Sequence, residues 1–315
     1  MASDESIRLS LLKRLSRVEE EFSLQRFNPL KVGGRADFYT EATTTIELVT
    51  AVSVALELNL PYLVIGSGTH SIFSDSGFPG LIIANRTSSL AYDAERSQVV
   101  VDSGLSLASL ILQVAGRGMG GLVPFYGEPG SIGSAVYRNQ PEGGRNLSSL
   151  VRYLTVLTPP TKMKPEPTIA RYRGEWLSRP QGKSRLQEGR AAATLFAPHP
   201  VLLTVTLQLT SNRTDELSYR LQQQLSQVPR QYERRLGPLF TLPDSQDVEA
   251  LLRSLPPDLT RHSSVSLDRR HPNYLVSRGV TTASQVREFI EEVKNQVQNS
   301  HGVTLQSRFE YLGVW

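Results

Sequence analysis

The chain has 315 residues, 39% of them hydrophobic, enough to bury a sizeable core and to form roughly two or three lobes. Its 34 Lys and Arg against 30 Asp and Glu leave a net charge of +4, too small to point to nucleic acid as a partner. The absence of cysteine excludes disulfides, thiolate metal sites, cysteine nucleophiles and a cysteinyl flavin link, and the five histidines (His70, His199, His262, His271 and His301) show no ligand-like spacing, so no metal site is expected.

No apolar run approaches a membrane span, and Met1-Ala2-Ser3-Asp4-Glu5 lacks the basic-then-apolar order of a secretory signal, so cytoplasmic residence without membrane contact is expected. Ile7, Leu11, Leu12, Leu15 and Val18 fall at helical spacing and predict an opening amphipathic helix, an appendage whose closing Glu19, Glu20 and Glu21 would repel an anionic leaflet. Thr44 with Glu47 reads as a capping box for a helix carrying Ile46, Val49, Val52 and Leu56, followed by a buried strand at 61–65. Strands are expected at 81–83 and 99–101, then a helix over Leu107–Ala115 closed by Gly116 and Gly118. Strand-like runs at 151–157 and 201–209 flank a polar, basic insertion around 179–190 that is expected to be a mobile loop. Helices follow near 215–227, 246–255 and 283–300. The last has Thr282 and Gln285 as its capping box and Val286, Phe289, Ile290, Val293 and Val297 as its buried stripe. A strand at 303–312 closes the chain.

Two stretches of small residues stand out from this background. One is Gly66-Ser67-Gly68-Thr69; the other is Gly127-Glu128-Pro129-Gly130-Ser131-Ile132-Gly133-Ser134-Ala135, just before Asn139. Such loops let a backbone lie close to a bulky ligand with N–H groups facing phosphate or flavin oxygens, which suggests one large cofactor held from two sides. Neither is a usual nucleotide fingerprint. No Gly-Lys-Ser/Thr closes a phosphate-binding loop, and Ser71 stands where the third Gly of Gly-x-Gly-x-x-Gly belongs. Taken alone, the first loop reads equally well as an ordinary turn after the 62–65 strand. Arginine clusters at Arg230, Arg234 and Arg235 and at Arg261, Arg269 and Arg270 match phosphate geometry, with solvated surface charge as the ordinary alternative.

Read in order, these signatures resemble the UDP-N-acetylenolpyruvoylglucosamine reductase family, flavin enzymes that reduce an enolpyruvyl sugar nucleotide in peptidoglycan synthesis. Asn28-Pro29-Leu30-Lys31-Val32-Gly33-Gly34-Arg35-Ala36-Asp37 resembles the family's opening segment. Gly66 to His70, with Asp75, Gly77, Phe78 and Gly80, resembles its pyrophosphate loop, and Gly127-x-Pro129-Gly130-Ser131-x-Gly133 with Asn139 its flavin loop. Tyr172-Arg173 resembles the Tyr-Arg of the substrate site. His271, Asn273 and Tyr274 resemble the Ser-x-x-His-x-Asn-Phe run, with Asp268 at its Ser, and residues 305–313 resemble the closing Leu-Glu-x-Glu-Val strand.

The resemblance implies an α+β fold: a helical appendage (1–24), an FAD-binding domain of the vanillyl-alcohol-oxidase type in two lobes (25–210) and a C-terminal α+β substrate lobe (211–315). It also implies noncovalent FAD at Gly66, Ser67, Gly68, Thr69, His70, Gly127, Pro129, Gly130, Ser131, Gly133 and Asn139. NADPH would be the electron donor, a UDP-sugar the substrate, and a cell-wall-synthesis protein is an open partner.

The chemistry departs from the family where a proton is needed. Reducing an enol ether conjugated to a carboxylate takes hydride from reduced flavin, an acid for the adjacent carbon and groups that hold the developing enolate. In the family a Ser is the acid, while the Arg of Tyr-Arg and a Glu in the last strand polarise the carboxylate. Here Pro238 stands at the Ser and Arg308 at the Glu; Tyr172 and Arg173 keep their identities. Thr241, three residues from Pro238, and Glu310, expected on the same strand face as Arg308, are the candidate substitutes. His70 replaces an Asn, and Glu128 is expected to bring a negative charge near the flavin. The readings are therefore an FAD-binding homologue whose original reduction is impaired, a working NADPH-dependent reductase that uses Thr241 or Glu310, or a flavin oxidoreductase whose Arg173 and Arg308 clamp another anion.

Overall fold

The computed structural model describes residues 4–139, 141–142, 145–161, 164–176, 198–227, 235–242, 247–256, 261–262 and 264–315, so the expected loop at 179–190 lies outside the described residues. The chain divides into two compact units. The first comprises residues 1–20, 38–67 and 80–228, and the second 21–37, 68–79 and 229–315.

In the first unit, β-branched runs build a five-stranded antiparallel sheet ordered Thr168–Arg173, Val151–Thr158, Val201–Gln208, Gln98–Asp102 and Leu90–Asp93. Helix Leu107–Ala115 has the expected bounds. Ser106 caps it, and Leu107, Leu110, Ile111 and Val114 bury one face against Val99, Val101, Val205 and Leu207. A four-stranded sheet orders Glu19–Ser23, Arg35–Ala42, Phe78–Asn85 and Tyr62–Ile65, its last two strands running parallel. The Thr44–Glu47 capping box starts helix Thr45–Glu57. Its buried stripe is Leu48, Ala51, Val52, Val54 and Ala55, and the expected core residue Ile46 is instead 79% exposed, on the opposite side of the first turn.

The opening helix, Asp4–Arg14, is shorter than its apolar pattern predicts. Leu11 is fully buried beside Leu48 and Tyr62, but the Thr40 hydroxyl donates to Arg17 O at 2.6 Å, and from Glu19 the chain runs as a strand. Val18 reaches the same cluster from extended backbone rather than from a fourth helical turn.

In the second unit, helix Ala283–His301 is the largest element, and Val286, Phe289, Ile290, Val293 and Val297 are buried as their spacing predicts. Its N-terminus is doubly fixed. Thr282 and Gln285 form the capping box, and the Asp75 carboxylate accepts from Ala283 N (2.8 Å), Ser284 N (2.9 Å) and the Ser284 hydroxyl (2.7 Å). A carboxylate there satisfies orphan N–H groups and meets the positive end of the helix dipole. The neighbouring Gly77 is a steric requirement, because a Cβ on it would lie 1.9 Å from Arg35 O while its φ is +80°. The helix packs on a four-stranded antiparallel sheet ordered Arg235–Leu236, Leu275–Ser277, Val265–Leu267 and Arg261–His262.

The expected closing strand is two short ones. Gln306–Ser307 pairs antiparallel with Phe240–Thr241, and Glu310–Leu312 pairs parallel with Ser71–Phe73. Between them the Ser307 hydroxyl oxygen accepts from Phe309 N at 3.1 Å, and Arg308 and Phe309 are buried in succession, which breaks the alternation of a strand. Contrary to expectation, Arg308 and Glu310 therefore do not share one strand face.

Tyr62 anchors the parallel pair to the chain near residue 199. Its hydroxyl donates to His199 O at 3.0 Å and its ring stacks on the His199 ring at 4.9 Å. Tyr62→Phe should therefore lower stability by about 1–2 kcal/mol near neutral pH, read as a urea midpoint. Burial pushes the Tyr62 phenol up to about 12. Its unfolded value is about 10, so the hydroxyl's contribution is whole below that pH and fades as pH rises through the folded value. The gap between wild type and Tyr62→Phe should narrow across that window.

Candidate functional site

Gly66, which opens the first glycine loop, meets the second loop within the first unit. A Cβ on Gly66 would lie 2.7 Å from Ser131 Oγ and 3.3 Å from Ser131 Cβ, so the first loop fits against the second only with glycine at that position. Gly66 O accepts from Arg86 at 2.9 Å, which orients the turn leaving strand Tyr62–Ile65.

Backbone bonds to residues 103–107 hold the second loop. Leu107 N donates to Gly130 O (3.0 Å), Ile132 N to Leu105 O (2.9 Å) and Gly133 N to Ser103 O (2.8 Å). Ser131 caps helix Ile132–Arg138, and Asn139 closes it in the left-handed conformation, where its side-chain oxygen accepts from Ser148 N at 2.9 Å. Gly127 and Gly130 take φ values of +106° and +122° in the turn that carries Pro129.

Behind the loop lies a buried polar cluster that the sequence reading did not single out. The Ser103 hydroxyl donates to Leu202 O (2.6 Å) and accepts from Asn85 (2.8 Å), while the Asn85 carbonyl oxygen accepts from Thr87 N and the Thr87 hydroxyl. The signal available in the sequence is Asp102-Ser103-Gly104, a turn tripeptide directly after a fully apolar strand run.

Glu128 does not enter as an uncompensated charge. It is mostly buried, with its side chain 12% exposed, and pairs at 3.2 Å with buried Arg138 in the helix that follows the loop. The expectation that it charges the flavin surroundings negatively is corrected by this partner, since the pair is neutral overall.

Tyr172 and Arg173 are neighbours on the edge strand, opposite Leu154 and Tyr153 respectively. Successive side chains alternate faces, so Tyr172 packs against the core while Arg173 is exposed, with no ion pair or side-chain hydrogen bond among the described residues.

The remaining candidates belong to the second unit. Arg308 N donates to Leu239 O at 2.8 Å, bringing Arg308 next to the Gly237–Pro238–Leu239 turn; Thr241 stands two residues on, opposite Gln306. Asn273 clamps this turn. Its carbonyl oxygen accepts from Leu239 N (3.1 Å) and Phe240 N (2.9 Å), and its amide donates to Phe240 O (3.0 Å). Glu310 lies in the other short sheet, where its N–H donates to His70 O at 3.0 Å. The His70 ring is buried, stacks on Phe309 and lies 3.2 Å from the Thr69 hydroxyl; Gly68 before it takes φ +72°. Of the arginine clusters, Arg235 is committed to structure, pairing with Asp268 at 3.2 Å and lying over the Tyr274 ring at 4.1 Å. Arg230 and Arg234 are outside the described residues.

Comparison with known proteins accords with this geometry. Residues 36–163 match the FAD binding domain family, and residues 229–312 match the C-terminal domain of UDP-N-acetylenolpyruvoylglucosamine reductase. The reductase of Rhodopirellula baltica is 28% identical over 95% of this chain and 92% of its own length, and that of Syntrophus aciditrophicus 27% over 92% and 90%. The crystal structure of the reductase from Thermus caldophilus superposes with a TM-score of 0.72 at 23% identity, covering 94% of this chain and 99% of that one, a likeness of fold. The expected fold class, an α+β chain with an FAD-binding domain followed by a C-terminal α+β lobe, stands.

Two substitutions probe the loops. Gly66→Ala should lower the thermal midpoint by forcing the loops apart, and Gly66→Ala with Ser131→Gly should recover most of the loss, since a glycine in place of a cap residue costs only about a few tenths of a kcal/mol. Arg138→Met, which strands the Glu128 carboxylate, should cost about 3–5 kcal/mol in urea unfolding, and adding Glu128→Leu should restore much of it.

Proposed function

Because the chain is a relative of the UDP-N-acetylenolpyruvoylglucosamine reductases, we propose that it binds FAD noncovalently and retains affinity for a UDP-sugar, but reduces the enolpyruvyl group poorly. The glycine loops, which abut at Gly66 within the first unit, support the cofactor assignment, because they expose backbone rather than side chains and carry no uncompensated charge. In this reading Gly66, Ser67, Gly127, Pro129, Gly130, Ser131, Gly133 and Asn139, with Gly68, Thr69 and His70, would hold FAD. Bound FAD would supply hydride, drawn from NADPH. In this reading the FAD-binding domain (25–210) and the substrate lobe (211–315) expected from the sequence would belong to a cytoplasmic protein, with residues 25–37 and 68–79 folding with the second unit and 211–228 with the first.

The observation that carries the impairment is the pairing of Arg308 with Leu239. It sets side by side the two positions that depart from the family pattern, Pro238 and Arg308. Proline has no proton to give, so the carbon next to the site of hydride addition lacks its acid. Arg308 is a cation at the position of a carboxylate. Arg308 would hold a substrate carboxylate or phosphate through charge-assisted bonds, favouring binding over turnover. Thr241 is the hydroxyl nearest in sequence to Pro238, but it stands three residues along the chain, paired with Gln306.

An anaerobic absorbance experiment tests the proposal. NADPH should bleach bound FAD, and the enolpyruvyl sugar nucleotide should restore colour about a hundredfold to ten-thousandfold more slowly in the wild type than in Pro238→Ser with Arg308→Glu. Prompt recovery in the wild type, lost in Thr241→Val or Glu310→Gln, would establish instead an active reductase using that substitute. Arg173→Ala should weaken binding of the sugar nucleotide in either case.

A further inference from the structure

The Arg269–Arg270 cluster takes no part in the site above, and its surroundings give it a different role. In the second unit a cavity of about 710 Å³ opens beside the sheet, and Arg253, Arg269, Arg270 and Arg278 all line it. Its apolar lining comes from Leu252, Leu255, Leu267, Pro272 and Val276. None of Pro238, Thr241, Arg308 or Glu310 is among its lining residues.

Local hydrogen bonding sets the charge of this wall. The Asp268 carboxylate accepts from Arg270 N (2.8 Å) and His271 N (3.2 Å), and its other oxygen pairs with Arg235 at 3.2 Å. That arrangement fixes the turn that presents Arg269 and Arg270 while occupying the lining's carboxylate. Arg253 is held by Glu249 (3.0 Å) and donates to Arg270 O (2.8 Å), bracing the same turn. Arg269, Arg270 and Arg278 are exposed, and their guanidinium groups make no ion pair or side-chain hydrogen bond among the described residues.

We propose that this pocket is an anion site for an organic diphosphate, lined by none of the residues assigned above to FAD or to the reduction. Three uncommitted guanidinium forks exceed what one orthophosphate needs and suit two linked phosphoryl groups. The volume falls within the range of small-molecule sites, and the apolar wall can receive the ligand's organic body. The inference does not depend on the reductase reading, since no residue of that machinery lines the pocket.

The test is titration calorimetry on the FAD-supplemented full chain at low salt with ADP, inorganic pyrophosphate and adenosine. ADP and pyrophosphate should bind saturably, ADP more tightly, and adenosine should not. Arg270→Gln with Arg278→Gln should weaken both by about tenfold or more. Arg278→Gln alone, a change at an exposed side chain, should weaken them in the same direction, and added salt should do likewise. Arg173→Ala and the control pair Arg213→Gln with Arg220→Gln should leave both affinities within about twofold of wild type. Absence of saturable binding, unchanged affinity in the Arg270 and Arg278 variants, or loss confined to Arg173→Ala would each overturn the assignment. Tight pyrophosphate binding that ADP does not improve would overturn the organic-body part of it.

Discussion

The organisation of the first unit depends on backbone meeting backbone without side chains between. Residues 103–107 and 130–133 are joined by main-chain hydrogen bonds, and a Cβ on Gly66 would press on the Ser131 side chain, 2.7 Å from its Oγ. Peptide groups brought this near one another must be paired or face a ligand, because buried unpaired donors cost free energy. The buried Asn85–Ser103–Thr87 cluster meets that demand on the protein side, tying the 103–105 turn to Leu202 O and to strand Phe78–Asn85. The loops are thus held from behind by polar side chains, leaving their small residues to define a surface.

The second unit solves a similar problem with side chains. Its Pro238 turn has little room for regular pairing, and Asn273 supplies the missing partners for Leu239 and Phe240 from a neighbouring turn. Asp268 does the same for the turn at 268–274 and also pairs with Arg235. These residues were noticed in the sequence as parts of a family-like run. Physically they hold two turns in place, so their presence is compatible with either an active or an inactive chemical centre.

Much of the fold was legible because one physical signal dominated each element. Thr282 and Gln285 with a five-residue apolar stripe point to the Ala283–His301 helix, and Gly116 and Gly118 mark the end of Leu107–Ala115. The failures arose where tertiary partners outweigh local pattern. The opening helix stops at Arg14 although Val18 keeps the helical spacing, because Val18 reaches the same core from the segment that leads into strand Glu19–Ser23. Residues 303–312 read as one strand because apolar and polar residues roughly alternate. The Ser307 turn then sends the two halves to different partners, so that Thr241 and Glu310 fall in separate sheets. The Glu128–Arg138 pair was invisible for a related reason: at ten residues apart, only the helix between them brings the charges together.

That pair bears on how the departures from the family pattern should be weighed. A carboxylate introduced into a buried loop is destabilising unless a cation comes with it, and Arg138 is that cation. The cofactor side of the molecule therefore carries its own electrostatic compensation within one loop. No equivalent compensation follows from Pro238. A missing hydroxyl cannot be offset by charge, only by another proton donor brought to the same carbon, and the side chain nearest along the paired backbone is a guanidinium that holds its proton at any physiological pH. A cation there stabilises bound negative charge without completing the proton transfer. In the proposed function, loop packing and charge compensation serve retention of the cofactor, while Pro238 and Arg308 serve the holding of an anionic ligand over its conversion.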